Sequence, residues 1–220
     1  MFIIAHPDDE SYLFSGTLLL NHKAGGQNYI ICATSGEKGK SHLKKEISPK
    51  QLASIRKKEL IAVSKYLKVK KLFFLNIPDS MVMAHKDLLS KKISKIISDY
   101  KPDYLLGFGL DGVSGHLDHI TTGLVTKTLA KKMKIPHISF QGSPLLLKRS
   151  KLMKQRRKEG SYSNNFSYQK PNIIIKIDPK VKLKALHFHK SQLDKSSPFL
   201  NIPKKIATEI MSHEYFLSLN

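Results

Sequence analysis

Short apolar runs alternate with amphipathic stretches along most of this chain, and that alternation restricts its fold more than any other feature. Met1–Ala5, Asn28–Ala33, Leu72–Leu75, Tyr104–Phe108, Ile138–Phe140 and Ile173–Ile177 read as strands. Between them, residues 10–23, 51–67, 87–100 and 119–132 read as helices. Leu60, Val63 and Leu67 fall at helical spacing, and Leu89, Ile93, Ile96, Ile97 and Tyr100 share one stripe. Further helices are expected over 179–192 and 203–217. Strands joined by helices imply right-handed crossovers and parallel pairing. The expected fold class is therefore α/β, a Rossmann-like three-layer sandwich with a mostly parallel sheet. Neither an internal repeat nor a domain-sized linker interrupts the pattern, so residues 1–220 are expected to form a single domain. The stretch 148–170, basic and then polar, breaks the rhythm and reads as a mobile surface segment or lid.

Composition narrows the function classes. Cys32 is the only cysteine, which rules out an internal disulfide. No apolar run approaches the roughly 18–20 residues of a membrane span, and Met1–Ala5 is too short for the apolar part of a signal peptide. A cytoplasmic location without a transmembrane segment is the expectation. The 38 basic residues against 17 acidic ones give a net charge of +21, which suggests nucleic acid. The type of cation argues otherwise. Only Arg56, Arg149, Arg156 and Arg157 are arginines, leaving 38 − 4 = 34 lysines spread along the chain. Base-edge and phosphate recognition relies on the arginine fork. What survives is a preference for an anionic small-molecule partner.

Two segments carry chemistry. Ala5-His6-Pro7-Asp8-Asp9-Glu10 follows the first strand, and Gly115-His116-Leu117-Asp118-His119 follows the fourth. In open α/β sheets, ligands bind at the carboxyl ends of strands where strand order reverses, and strands one and four are the usual neighbours there. The segments together supply a catalytic metal site, which needs three N/O ligands and one open position. His6 and Asp9, three apart around a turn stiffened by Pro7, can point at one ion, with His119 as third ligand. Asp8 is left as a general base, since a metal lowers the pKa of a water it holds to about 7. His116 is left to stabilise an oxyanion and protonate a leaving amine, with Asp118 fixing its tautomer and keeping it cationic. Spacing alone does not separate Zn²⁺, one per chain, from Fe²⁺.

These residues resemble the PIG-L/LmbE-like deacetylases, a family that includes the de-N-acetylases of GlcNAc-phosphatidylinositol, mycothiol and bacillithiol synthesis. The resemblance covers nearly the whole chain. It extends to Thr34-Ser35-Gly36-Glu37, to Arg56 with Glu59, and to Leu75-Asn76-Ile77-Pro78-Asp79. Lys182, Ala185, His189, Ser191 and Gln192 match a C-terminal signature, and Glu214-Tyr215-Phe216 the tail. It implies His6, Asp9 and His119 as zinc ligands, Asp8 as base, and His116 as acid or electrophile steadied by Asp118. It also implies Arg56 near the substrate's sugar or phosphate-like group. Leu117 stands where proline is usual, and Ser114 where some relatives carry tyrosine. The implied reaction is removal of an N-acetyl group from an N-acetylglucosamine-type conjugate by an enzyme that assembles in some relatives as a homo-oligomer. Two other readings stay open: an amidase of the same fold acting on a thiol conjugate, and a non-catalytic, basic nucleic-acid-binding relative.

Overall fold

The computed structural model describes residues 1–43, 45–147, 169–193 and 203–218. The expected lid over 148–170 lies, but for its last two residues, outside them. Seven strands form one sheet: β1 (Phe2–Ile4), β2 (Asn28–Cys32), β3 (Val69–Phe74), β4 (Leu105–Phe108), β5 (His137–Gln141), β6 (Ile173–Lys176) and β7 (His213–Ser218). Their order is β3-β2-β1-β4-β5-β7-β6. Pairing is parallel from β3 through β5, while β7 runs antiparallel to both β5 and β6. The sheet is mostly parallel, as the alternation implies, and strand order reverses between β1 and β4.

The helices are α1 (Asp9–Leu13), α2 (Ser15–Lys23), α3 (Pro49–Tyr66), α4 (Lys86–Tyr100), α5 (Leu117–Met133), α6 (Pro144–Leu147), α7 (Pro179–Leu186) and α8 (Lys204–Ser212). Alternation along β1 divides the interior. Phe2 and Ile4 point to one face and pack with Leu13, Phe14, Leu18, Leu60, Val63 and Ala185. Ile3 points to the other and packs with Leu89, Ile93, Ile97, Val125 and Leu129. Both faces are covered, which gives three layers and explains why β1 is apolar at every position. Local signals start α3: Ser48 and Gln51 form a capping box and Pro49 sits in the first turn. No helix of the described residues is long and apolar enough to cross a membrane.

Besides an earlier start to β3 and the short α6, which the sequence did not suggest, three elements differ from the sequence expectation. Residues 10–23 form two helices, because the backbone breaks at Phe14 (φ −132°). That break sends its ring, fully buried, against Phe2, Phe140 and Phe216. The helix expected over 203–217 stops at Ser212, and β7 follows. Tyr215, Phe216 and Leu217 are consecutive and all buried. A helix would turn one of three successive side chains toward water, whereas a strand between two others, covered on both faces, hides all three. The helix expected over 179–192 ends at Leu186, and the chain beyond turns His189 and Ser191 into buried polar contacts beneath the β1 end.

Candidate metal centre at the β1–β4 crevice

The turn after β1 folds Asp9 back onto its own strand end. Asp9 Oδ2 accepts from the backbone N–H of Ala5 (3.1 Å) and of His6 (2.8 Å). This leaves Oδ1 directed at His119 Nε2, 3.3 Å away, with His6 Nδ1 3.9 Å from Oδ2. His119 arrives from the first turn of α5, where its ring stacks on Phe108 at 4.2 Å between centroids. His6 Nδ1 and His119 Nε2 face each other at 3.1 Å.

The opposite nitrogens of both rings show which atoms carry protons. His6 Nε2 lies 3.2 Å from Asp118 Oδ2 and 3.2 Å from Asp79 Oδ1. Carboxylates accept only, so His6 carries its proton on Nε2. His119 Nδ1 lies 3.1 Å from Gly112 O, again an acceptor. With both rings neutral, as metal ligation requires, the facing nitrogens, His6 Nδ1 and His119 Nε2, present lone pairs, and a carboxylate oxygen joins them. Such a group is repulsive by itself and attractive around a cation. Tetrahedral donors about 2.0–2.1 Å from zinc lie about 3.3 Å apart, and the 3.1 and 3.3 Å separations match. The donor set fits a small divalent cation of borderline softness. The carboxylate and carbonyl behind each ring are the outer partners that fix ligand orientation. His116 also has a ring nitrogen within 4.8 Å of the His6 and His119 nitrogens, and His6, Asp79 and Asp118 form a second such trio.

The electrostatics report the same surplus of negative charge. Burial opposes a charge on His6, but its bonds to Asp118 and Asp79 and the field of Asp9 outweigh it and lift the pKa to about 10. His119, buried and beside that cation, is lowered to about 3. Asp79 is held well below the usual carboxylate range: burial opposes ionisation, and the His6 hydrogen bond and charge overcome it. Asp8 is raised to about 6, mainly by burial, against the pull of Arg56 and with the repulsion of Asp9.

Two sequence expectations are revised. The Asp118 carboxylate is engaged elsewhere than at His116, which Asp118 meets through its backbone N–H. Its carboxylate accepts from His6 Nε2 and from the backbone N–H of Ser80 and Val82. His116 instead caps α5, its Nδ1 accepting from the Asp118 N–H at 3.2 Å. That bond places the His116 proton on Nε2. Burial, then the nearby charges of His6 and His119, lower its pKa to about 4. Arg56 is the second revision. It is 3% exposed and donates to Gly36 O, Pro7 O and, at 3.0 Å, Asp8 Oδ2. Its guanidinium holds the candidate base instead of reaching an open ligand surface.

Backbone strain collects here. Asp8 sits at φ 122° and Val113 at φ 63°, conformations that L-residues rarely adopt and that are least favourable for a β-branched side chain. Asp111 Oδ1 accepts from the Val113 N–H, holding the loop that presents Gly112 O to His119. Asp79, Glu10, Glu59 and His189 are the site's unassigned polar residues. Asp79 had a signal, since it follows the carboxyl end of β3 just as the two motifs follow β1 and β4.

Comparison with known proteins agrees with this geometry. Residues 1–130 match the family model described as PIG-L, GlcNAc-PI de-N-acetylase. A Bacillus subtilis (strain 168) protein named probable N-acetyl-alpha-D-glucosaminyl L-malate deacetylase 2 is 33% identical over 137 residues, 61% of this chain and 62% of that protein. A Dictyostelium discoideum protein named probable N-acetylglucosaminyl-phosphatidylinositol de-N-acetylase is 29% identical over 60% of this chain and 49% of its own length. The chain thus spans about half to three fifths of these curated relatives. Among solved structures, N,N'-diacetylchitobiose deacetylase from Pyrococcus horikoshii superposes with a TM-score of 0.71 at 24% identity, covering 99% of this chain and 82% of that one, a likeness of fold. With the family model matched over 130 of 220 residues and the same strand-end clusters assembled at one crevice, the chain belongs to the PIG-L family.

Proposed function

We propose that this protein is a metal-dependent N-deacetylase acting on an N-acetylglucosamine-type conjugate, with His6, Asp9 and His119 holding one zinc ion. The carrying observation is the convergence of two imidazole nitrogens and a carboxylate at the β1–β4 crevice, with a second carboxylate, Asp8, beside them. Zinc held there supplies Lewis-acid polarisation of a carbonyl and a water acidic enough to ionise near neutral pH. The chain does the rest. Asp8, aimed by Arg56, takes a proton from the attacking water. With its affinity for protons raised by burial, it then delivers that proton to the departing amine. His116, neutral and protonated on Nε2, donates a hydrogen bond to the developing oxyanion. Asp118 and Asp79 hold the His6 ring from behind. The substrate class rests on the names of three relatives, each a sugar-conjugate deacetylase, and the basic surface favours an anionic aglycone. The test is metal content by mass spectrometry together with acetate release from a panel of GlcNAc conjugates. Stoichiometric zinc with no acetate from any member would overturn the substrate assignment, and absence of metal after loading would overturn the centre itself.

A further inference from the structure

Asp8 is held in a backbone conformation that costs energy, φ 122° and ψ −25°, so something must hold it. Arg56 grips its side chain. Its backbone N–H donates to Glu10 Oε2 at 3.0 Å. Glu10 is fully buried, and its other oxygen accepts from Ser11 Oγ (2.5 Å) and from His189 Nε2 (2.6 Å). His189 is 1% exposed. It lies 179 residues away in sequence, past the end of α7 and beyond the 1–130 stretch that matches the family model. Its segment is anchored independently, because Ser191 donates through its N–H (2.8 Å) and its hydroxyl (2.7 Å) to Glu59 on α3. Glu59 lies one helical turn from Arg56. One helix therefore fixes both the grip on the Asp8 carboxylate and the seat of the histidine that fixes Glu10.

We propose that His189, acting through Glu10, is a positioning residue that holds the strained Asp8 backbone and so aims the base, making catalytic geometry depend on the docking of residues 187–192. The chain of contacts is continuous: Glu59 to Ser191, His189 to Glu10, Glu10 to the Asp8 N–H. Without His189, Glu10 Oε1 keeps only Ser11 Oγ, and the buried carboxylate, one hydrogen bond short, turns toward other donors or water. The Asp8 N–H then loses its acceptor, and φ is held only from the far side, by Arg56 on the carboxylate and by the Ser11 and Tyr12 N–H groups on the carbonyl.

The inference rests on the deacetylase reading for its kinetic arm alone; its second arm needs neither metal nor substrate. In the full-length protein, His189→Ala is expected to lower kcat by up to about 100-fold, the cost of a base displaced by about 1 Å, with KM and zinc content unchanged. Amide hydrogen exchange on the metal-free protein is expected to show Asp8 exchanging about tenfold faster while Ile3 and Ile4 in β1 stay protected. His189→Gln, whose terminal amide reaches as far as Nε2, should restore both values; His189→Asn, one methylene shorter, should restore neither. Unchanged Asp8 exchange in His189→Ala overturns the proposal. So does equal behaviour of the Gln and Asn variants, which remains decisive if the alanine variant fails to fold. A wild-type protein that releases no acetate defeats the deacetylase reading and leaves the exchange arm standing.

Discussion

Replacing Arg56 by methionine tests the electrostatic account of the candidate base. Methionine keeps the unbranched stem as far as the Nε position and removes the charge and every donor. Arg56 is 3% exposed and serves Gly36 O, Pro7 O and Asp8 Oδ2. Breaking a buried charge pair by removing one partner costs about 3–5 kcal/mol, because the other charge stays buried. For a chain of this size each kcal/mol moves Tm by about 2–4 °C, so a fall of about 6–20 °C is expected for the metal-free variant at pH 8. The pH dependence carries the sharper test. Asp8 already has a folded pKa raised from 3.8 to about 6, burial being the main cause and the Arg56 cation its chief opponent. Without Arg56 it rises further. A carboxylate with a raised folded pKa destabilises the fold when ionised. That cost is fully present above the folded pKa and absent below the unfolded one. The stability deficit of Arg56→Met should therefore be larger at pH 8 than at pH 5, by calorimetry on metal-free protein. Equal deficits at the two pH values would show that Arg56 acts through packing and not through the Asp8 charge.

Other perturbations separate the roles at the crevice. Asp8→Asn should keep a full complement of zinc and lose about 10²–10⁴-fold in kcat, measured as acetate release; near-wild-type turnover would remove Asp8 as base. His119→Ala should bind no zinc, and a stoichiometric ion by mass spectrometry in that variant would break the ligand set. Gly36→Ala should lower both Tm and kcat. Gly36 has φ +66° and an added Cβ falls on the Arg56 guanidinium, so the left-handed conformation costs about 1–2 kcal/mol before Arg56 is displaced from Asp8. A thermally neutral variant would refute this. Zinc at about 100 times its Kd should raise Tm by about 5–11 °C over the chelated protein, and no shift would count against a site formed in the native state.

The parts of this molecule legible in the sequence are those set by local pattern. The β1 to β5 strands show as apolar runs, α4 begins within one residue of its periodic stripe, and α5 lies within two residues of its expected bounds. The two motifs land on adjacent strand ends because parallel crossovers leave few alternatives. What escaped was decided by contacts distant in sequence. The Tyr215-Phe216-Leu217 run is a strand because β5 and β6 are there to pair with it. The partner of Asp118 is His6, 112 residues away, where sequence adjacency suggested His116. Arg56 turns inward because Gly36, lacking a side chain, leaves room for a guanidinium over the Asp8 turn.

The charge distribution links the site to the rest of the surface. Asp8, Asp9, Glu10, Glu59, Asp79 and Asp118, six of the 17 acidic residues, gather around one crevice. With Arg56 also at the crevice, the chain is left elsewhere with 38 − 1 = 37 cations against 17 − 6 = 11 anions. The exterior is basic partly because so many carboxylates are drawn inward, to the ring-holding and base positions, and this needs no nucleic acid to explain it. The two fields act in sequence on an anionic conjugate. The lysine-rich exterior attracts it over distances up to a Debye length, about 8 Å at physiological salt. The crevice itself repels it until a divalent cation offsets the carboxylates. Salt and metal should therefore act on different constants. Raising ionic strength should lower kcat/KM for an anionic conjugate and leave a neutral analogue unchanged, whereas removing zinc should abolish turnover of both. Equal salt sensitivity of charged and neutral substrates would show that the basic surface has no part in capture.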